Sequence, residues 1–146
     1  NIIPYRTDAV LTPHYEMDPN IIIFSLFPGI QPNTVKKILN DKHINGVIFR
    51  TFGSGNAPQK QWLVDALTKA TNSGKTIVNI TQCSTGSVKM SLYETGRQLL
   101  ASGIISGRDS TVEAALTKLM FLLGSGRNAE EIRRCMNQSL AGEITI

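Results

Sequence analysis

Three short runs of apolar residues, rich in β-branched side chains, are separated along the chain by longer segments with a helical repeat. The runs cover residues 21–27, 46–49 and 76–81. A short run that is apolar at nearly every position is typical of a strand buried on both faces. Strands of this kind that alternate with helices predict right-handed crossover connections and a parallel sheet.

Helical periodicity and terminal signals predict five helices. Pro32 suits a first helical turn, because the N–H that proline lacks has no partner there. Ser110 with Glu113 and Asn128 with Glu131 each fit a capping box, in which the two side chains bond the helix start reciprocally. The predicted helices cover residues 31–41, 58–74, 91–103, 110–124 and 129–140.

The apolar faces of two of these helices supply the predicted core. Their large side chains recur at helical spacing and are expected to pack against the sheet. The residues predicted to be buried are Trp62, Leu63, Leu67, Leu116, Leu119 and Leu123.

The chain of 146 residues is long enough for one domain with a hydrophobic core. The alternation predicts a single α/β domain, a three-layer open parallel sheet of the flavodoxin or Rossmann type with helices on both faces. Residues 21–146 form that domain in this interpretation. Residues 1–20 have no helical or strand period and are interpreted as a linker or N-terminal extension. Because the chain begins at Asn1, it is expected to be a fragment or a processed chain.

Charge and composition bear on several functional classes. The net charge is +4, but the basic residues are scattered, which does not favour a nucleic-acid surface. No apolar run is long enough to cross a bilayer. Cys83, Cys135, His14 and His43 lack the spacing of a zinc site, so neither a metal nor a cofactor is predicted. Without a secretory leader, the cysteines are expected to be free thiols in the cytoplasm.

Two polar loops follow the second and third predicted strands, where open parallel sheets bind ligands. The first, RTFGSGNAP, lacks the third glycine of a dinucleotide fingerprint and the Gly-Lys-Ser/Thr ending of a P-loop. The second contains Cys83, which has no histidine near it in sequence. No carboxylate pair is placed for acid–base work, so the residues predict a ligand-binding domain without a complete catalytic set.

Six strings occur in order from residue 21 to the end of the chain: FPGI, GVIFRTFGSGNAPQ, VNITQCSTGSV, YETG, SGRDSTVEAALTKLMFLL and LAGEITI. Together they resemble the C-terminal domain of bacterial type I, cytosolic L-asparaginases. Two departures lie outside the polar loops: Ser110 replaces the usual methionine, and Arg108 is bulkier than its usual counterpart.

The resemblance implies a homo-oligomeric enzyme with two α/β domains per subunit, which hydrolyses L-asparagine. The threonine nucleophile and its supporting threonine, aspartate and lysine belong to the N-terminal domain, so this chain is expected to be inactive alone. The C-terminal domain is expected to serve a neighbouring active site and a separate effector site for L-asparagine. The residues matched to these binding roles are Arg50, Gly55, Asn56, Thr81 and Cys83.

The chemistry of these residue types suits an amino acid ligand. A guanidinium offers a two-pronged donor to an α-carboxylate, and an amide both donates and accepts. Three alternatives stay open: Arg50 as a surface salt bridge, Asn56 as a helix N-cap, and Cys83 as a partly buried structural cysteine.

Two other functions also remain open. One is a free-standing amino-acid-binding regulatory domain without catalysis. The other is the asparaginase-like subunit of a tRNA-dependent amidotransferase, for which a more basic face would be expected. Binding of a flavodoxin-type cofactor is a weaker third possibility.

Overall fold

The computed structural model describes residues 10–91 and 93–145. The predicted extension over residues 1–20 therefore lies partly outside the described residues, and residues 10–20 contain neither helix nor strand. The described elements are β1 (Ile21–Ser25), α1 (Pro32–Asn40), β2 (Gly46–Thr51), α2 (Gln61–Asn72), β3 (Thr76–Thr81), α3 (Glu94–Ala101), β4 (Ile105–Ser106), α4 (Val112–Gly124) and α5 (Ala129–Met136). None of these helices is long and apolar enough to cross a membrane.

The four strands form one parallel sheet in the order β1-β2-β3-β4, which confirms the predicted parallel α/β fold. The central pair is in register from Gly46 opposite Thr76 to Thr51 opposite Thr81. Strand β4 was not predicted, because two residues are too short to show an apolar run. Its pairing with Val78 and Asn79 makes it a strand.

The sequential strand order decides where the helices lie. Right-handed crossovers that always step in the same direction place α1, α2 and α3 on one face of the sheet. Helices α4 and α5 follow the last strand and cover the opposite face, so helices on both faces are confirmed. The buried apolar helix residues of the two clusters are Val35, Leu39, Leu63, Leu67, Ala70 and Leu99 on the first face, and Ala115, Leu119, Leu122, Ile132 and Met136 on the second.

The central strands are buried on both faces, as their apolar runs predict. In β2, Val47 and Phe49 pack in the cluster under α1–α3, whereas Ile48 packs in the cluster under α4 and α5. This alternation follows from the two-residue period of a strand. It also assigns a face to each polar residue that continues the strand.

Three predicted helix starts, those of α2, α3 and α4, are wrong by one to three residues. Helix α2 begins at Gln61 and not at Pro58, since the chain first completes a loop. Helix α3 begins at Glu94 and not at Ser91. Helix α4 takes Thr111 as its N-cap, whose hydroxyl accepts from the Ala114 N–H, and not Ser110.

Asn128 and Glu131 form the predicted capping box at the start of α5. Each residue accepts a hydrogen bond from the backbone N–H of the other, which satisfies two donors that the helix cannot pair internally. The sequence pattern alone was sufficient here, because the contact is local.

The predicted core is confirmed in part. Leu63, Leu67 and Leu119 are fully buried. Trp62, Leu116 and Leu123 are partly buried and pack against the two clusters. These side chains lie at the edges of the helix faces, where the sheet does not cover them completely.

A buried ion pair ties the C-terminal segment to α4. The Lys118 ammonium lies 2.5 Å from the Glu143 carboxylate, and it also donates to the carbonyls of Met136 and Gln138. Burial alone would raise the pKa of Glu143. The hydrogen bonds from Lys118 and from the Leu140 and Ala141 N–H groups outweigh it and lower the pKa to about 2.

Leu119→Ala should destabilise the fold by about 2–5 kcal/mol, because it opens a cavity at a residue with no exposed surface. Urea unfolding followed by the fluorescence of Trp62 would measure the change. Leu100→Ala is the control: this leucine is 48% exposed, and its loss should cost less than about 0.5 kcal/mol. Equal losses for the two variants would contradict the assigned face of α4.

Glu143 should make stability depend on pH. Its pKa is depressed in the folded state, so its contribution is present above its ordinary pKa of 4.5 and is lost as pH falls towards 2. A pKa lowered from 4.5 to about 2, at about 1.4 kcal/mol per pKa unit, gives a contribution on the order of 3 kcal/mol. Urea unfolding at pH 7 and pH 3 measures the free energy of unfolding of wild type and Glu143→Gln. The difference between the two proteins should be smaller at pH 3. The control is Glu94→Gln, which removes the exposed pair of Glu94 and Arg97. This variant should have nearly the same free energy of unfolding as the wild type at both pH values. If the difference in free energy of unfolding between wild type and Glu143→Gln is as large at pH 3 as at pH 7, the assignment is contradicted.

Candidate functional site

Two loops leave the carboxyl ends of β2 and β3 and form the candidate site. The first covers residues 52–60, and the second is described over residues 82–91. Both follow strands that are buried on both faces, so their starting points are fixed by the core. Loops placed in this way on a rigid sheet are common positions for binding residues.

The first loop closes on itself directly after β2. Phe52 and Asn56 form a short antiparallel bridge, in which each N–H donates to the carbonyl of the other at 2.9 and 2.8 Å. Gly55 lies inside this turn with φ +102°, in the left-handed region that favours glycine. A Cβ added there would lie 2.7 Å from Cγ1 of Val88 in the second loop. The turn and the contact between the loops therefore both require glycine.

Asn56 is not a helix N-cap, which excludes one alternative for this residue. Lys60 holds the N-cap position of α2, because the bridge with Phe52 keeps Asn56 four residues before that position. The side-chain oxygen of Asn56 accepts instead from the Thr95 hydroxyl at 3.1 Å. This bond joins the first loop to the start of α3.

Thr81 joins the two loops at the end of β3. Its hydroxyl donates to the Gly53 carbonyl at 2.6 Å and accepts from the Cys83 N–H at 3.0 Å. Cys83 and Cys135 are both free, as predicted. The side chain of Cys83 is exposed, so the interpretation of a partly buried structural cysteine is wrong.

Arg50 lies on the other face of the sheet from Thr81. It follows Ile48 by two residues and therefore shares the α4 face, whereas Thr81 follows Ile77 and Asn79 on the α1–α3 face. In the described part of the chain, no carboxylate lies within 4.0 Å of Arg50, which excludes the salt-bridge alternative there. Its Nε atom is buried and has no hydrogen-bond partner among these residues.

The structure thus brings the predicted residues together unevenly. Gly55 and Asn56 belong to the first loop and Cys83 to the second, and Thr81 at the end of β3 bonds both loops. No hydrogen bond within residues 10–91 and 93–145 links the Nε of Arg50 to any of them. The binding roles of these five residues stay a prediction.

Sequence reasoning missed three polar residues that hold the loops. Thr51 and Asn79 are both fully buried, and the Thr51 hydroxyl donates to the Asn79 side-chain oxygen at 2.7 Å. Thr95 binds Asn56 from α3. The available signal was the single asparagine inside the apolar run TIVNIT. A polar residue in a doubly buried strand must find a partner.

The described residues of the two loops and the strand ends offer hydrogen-bonding groups for a ligand. Amide, hydroxyl, thiol and guanidinium groups can bind the charged ends of an amino acid. Among the described residues, no group of three His, Cys, Asp or Glu side chains is placed to hold a metal ion.

Comparison with known proteins gives a consistent result. The family model of the glutaminase/asparaginase C-terminal domain matches residues 20–136. L-asparaginase 1 of Escherichia coli K12 is 42% identical over 123 residues, which cover 84% of this chain and 36% of that protein. The crystal structure of L-asparaginase I from Vibrio cholerae superposes with a TM-score of 0.81 at 42% identity, over 87% of this chain and 38% of the Vibrio chain.

A relative with lower sequence identity is named for a different activity. A glutamyl-tRNA(Gln) amidotransferase subunit of Pyrococcus horikoshii is 31% identical over 140 residues, or 96% of this chain and 31% of that protein. The chain thus spans about a third of the length of each of these relatives.

Gly55→Ala should destabilise the fold by on the order of 2–4 kcal/mol, because it combines a strained φ with a clash against Val88. Gly53→Ala is the matched control: its φ is also positive, +49°, but no atom lies within 4 Å of the added Cβ. Its cost should be about 1 kcal/mol. Urea unfolding of both variants measures the difference, and equal costs would contradict the close contact between the loops.

Proposed function

Because the chain belongs to the glutaminase/asparaginase C-terminal domain family, we propose that it is the C-terminal domain of an L-asparaginase, which hydrolyses L-asparagine to L-aspartate and ammonia. The domain binds L-asparagine with its two loops and supplies no nucleophile. The threonine nucleophile belongs to an N-terminal domain. The identity to L-asparaginase 1, 42% over most of this chain, supports the proposal.

The observation that carries the binding role is the buried Nε of Arg50, which has no hydrogen-bond partner within residues 10–91 and 93–145. Burying a polar donor without an acceptor is costly, and buried donors in native proteins are nearly always paired. Arg50 lies one residue before the end of β2, and the whole residue is only half-buried although its Nε atom is buried. An α-carboxylate would supply a planar acceptor of the right charge for this guanidinium.

The remaining site residues suggest that a neighbouring chain completes the site. Thr81 lies on the opposite face of the sheet from Arg50. The two side chains therefore lie on either side of the carboxyl edge of the sheet and do not line one enclosed cavity. The described strands follow one another in order, without the reversal that opens a crevice in doubly wound folds. We therefore propose a homo-oligomer, in which the loops serve an effector site and a neighbour's active site. The resemblance to cytosolic asparaginases supports a cytoplasmic location for it.

A subunit of a tRNA-dependent amidotransferase is the second candidate, supported by the 31% identity to the Pyrococcus protein. Both activities release ammonia from an amide, so the C-terminal domain could serve either. The higher identity to L-asparaginase 1 favours the first. A regulatory domain without catalysis would bind asparagine equally well, but its full-length protein would show no turnover.

Arg50→Lys tests the proposal in the full-length protein. Lysine keeps the charge but loses the two-pronged geometry, so L-asparagine should bind about ten- to a hundredfold more weakly at the effector site. Isothermal titration with L-asparagine and a substrate-saturation curve measure binding and turnover separately. Arg97→Lys is the control, because Arg97 is exposed and pairs with Glu94.

The other outcomes are distinct. Unchanged affinity with a large loss of stability would make Arg50 a structural residue and contradict the proposal. A fall in turnover with unchanged effector binding would assign Arg50 to a neighbour's active site.

A further inference from the structure

Asn79 is a fully buried amide in the middle of β3, on the face that packs under α1–α3. Its neighbour on that face, Ile77, belongs to the apolar cluster. A carboxamide buried without partners would be destabilising, so this side chain is tolerated only because it is hydrogen-bonded. An apolar residue would fill the same space without that requirement.

The partners of Asn79 come from three different segments. Its side-chain oxygen accepts from the Thr51 hydroxyl at 2.7 Å, at the end of β2. Its NH₂ group donates to the Gly55 carbonyl in the first loop and to the Met90 sulfur in the second, both at 3.3 Å. The Gly55 carbonyl can only accept, which fixes the orientation of the amide.

The main chain of Asn79 adds a fourth connection. Its carbonyl accepts from the Gly107 N–H at 2.7 Å, directly after β4. One residue therefore holds the ends of β2 and β4 and both loops that carry the candidate binding groups. The three side-chain bonds require a neutral group that both donates and accepts, so a hydrophobic residue would remove the bond to each loop.

We propose that Asn79 is a positioning residue that couples the two loops, so that asparagine binding by one loop depends on the placement of the other. The proposal rests on the proposed function, since it assigns a role within the same site. Asn79 acts through Gly55 and Thr51 and has no exposed surface with which to touch a ligand.

Three variants of the full-length protein test the coupling. Asn79→Leu removes the amide, and Thr51→Val removes one of its partners while keeping the shape of the side chain. Both should weaken L-asparagine binding about tenfold, the factor that corresponds to about 1.4 kcal/mol. Thr51→Ser retains the hydroxyl and should stay within about twofold of wild type.

A matched control separates positioning from general stability. Ser102 is another buried hydroxyl, 7% exposed, which accepts from Thr68 and donates to the Gln98 carbonyl away from both loops. Ser102→Ala should destabilise the fold but leave asparagine affinity unchanged. Isothermal titration measures the affinity, and urea unfolding measures the stability of each variant.

Hydrogen exchange provides a readout that needs no ligand. Residues 52–60 and 82–91 should exchange faster together in Asn79→Leu and Thr51→Val, and not in Ser102→Ala. Loss of stability with unchanged affinity and unchanged loop exchange would overturn the proposal.

The proposed function can fail independently. If the wild-type protein binds no asparagine, the proposed function is contradicted. Hydrogen exchange in the two loops of the variants then tests the coupling by itself. Faster exchange in both loops would support it, and faster exchange in one loop or neither would overturn it.

Discussion

The pairing of β2 with β3 is the constraint on which the rest of the structure depends. Both strands are buried on both faces, so the two-residue period of the strand assigns each of their large apolar residues to one of two clusters. A slip of one residue would exchange the faces of Phe49 and Ile48 and break both clusters. The register therefore fixes where each strand ends and where each loop begins.

The same pairing explains why the polar residues at the strand ends matter. Thr51, Asn79 and Thr81 continue the apolar face of α1–α3 towards the carboxyl edge, where water is still excluded. Their side chains must therefore satisfy one another or the loop backbone. The hydrogen bonds that do so also position the loops. The same contacts therefore stabilise the core and determine the geometry of the candidate site.

Local signals succeeded at several points, although the pattern of Ser110 and Glu113 lay one residue away from the observed N-cap, Thr111. The capping box of Asn128 and Glu131 and the bounds of β3 needed only neighbouring residues. The start of α2 was wrong because the bridge between Phe52 and Asn56, which delays the helix, depends on how the loop packs. Strand β4 was missed because its identity comes from its partner strand and not from its own two residues.

The sequence by itself determined the order of the first three strands and the five helices, the doubly buried centre of the sheet and the two loops at its carboxyl edge, since hydrophobic period and turn residues are local properties. It also carried the family resemblance. The tertiary structure decided that Arg50 and Thr81 lie on opposite faces and that Asn79 binds both loops. Those relations depend on contacts between residues far apart in the chain, because a partner from another strand or loop cannot be read from local spacing.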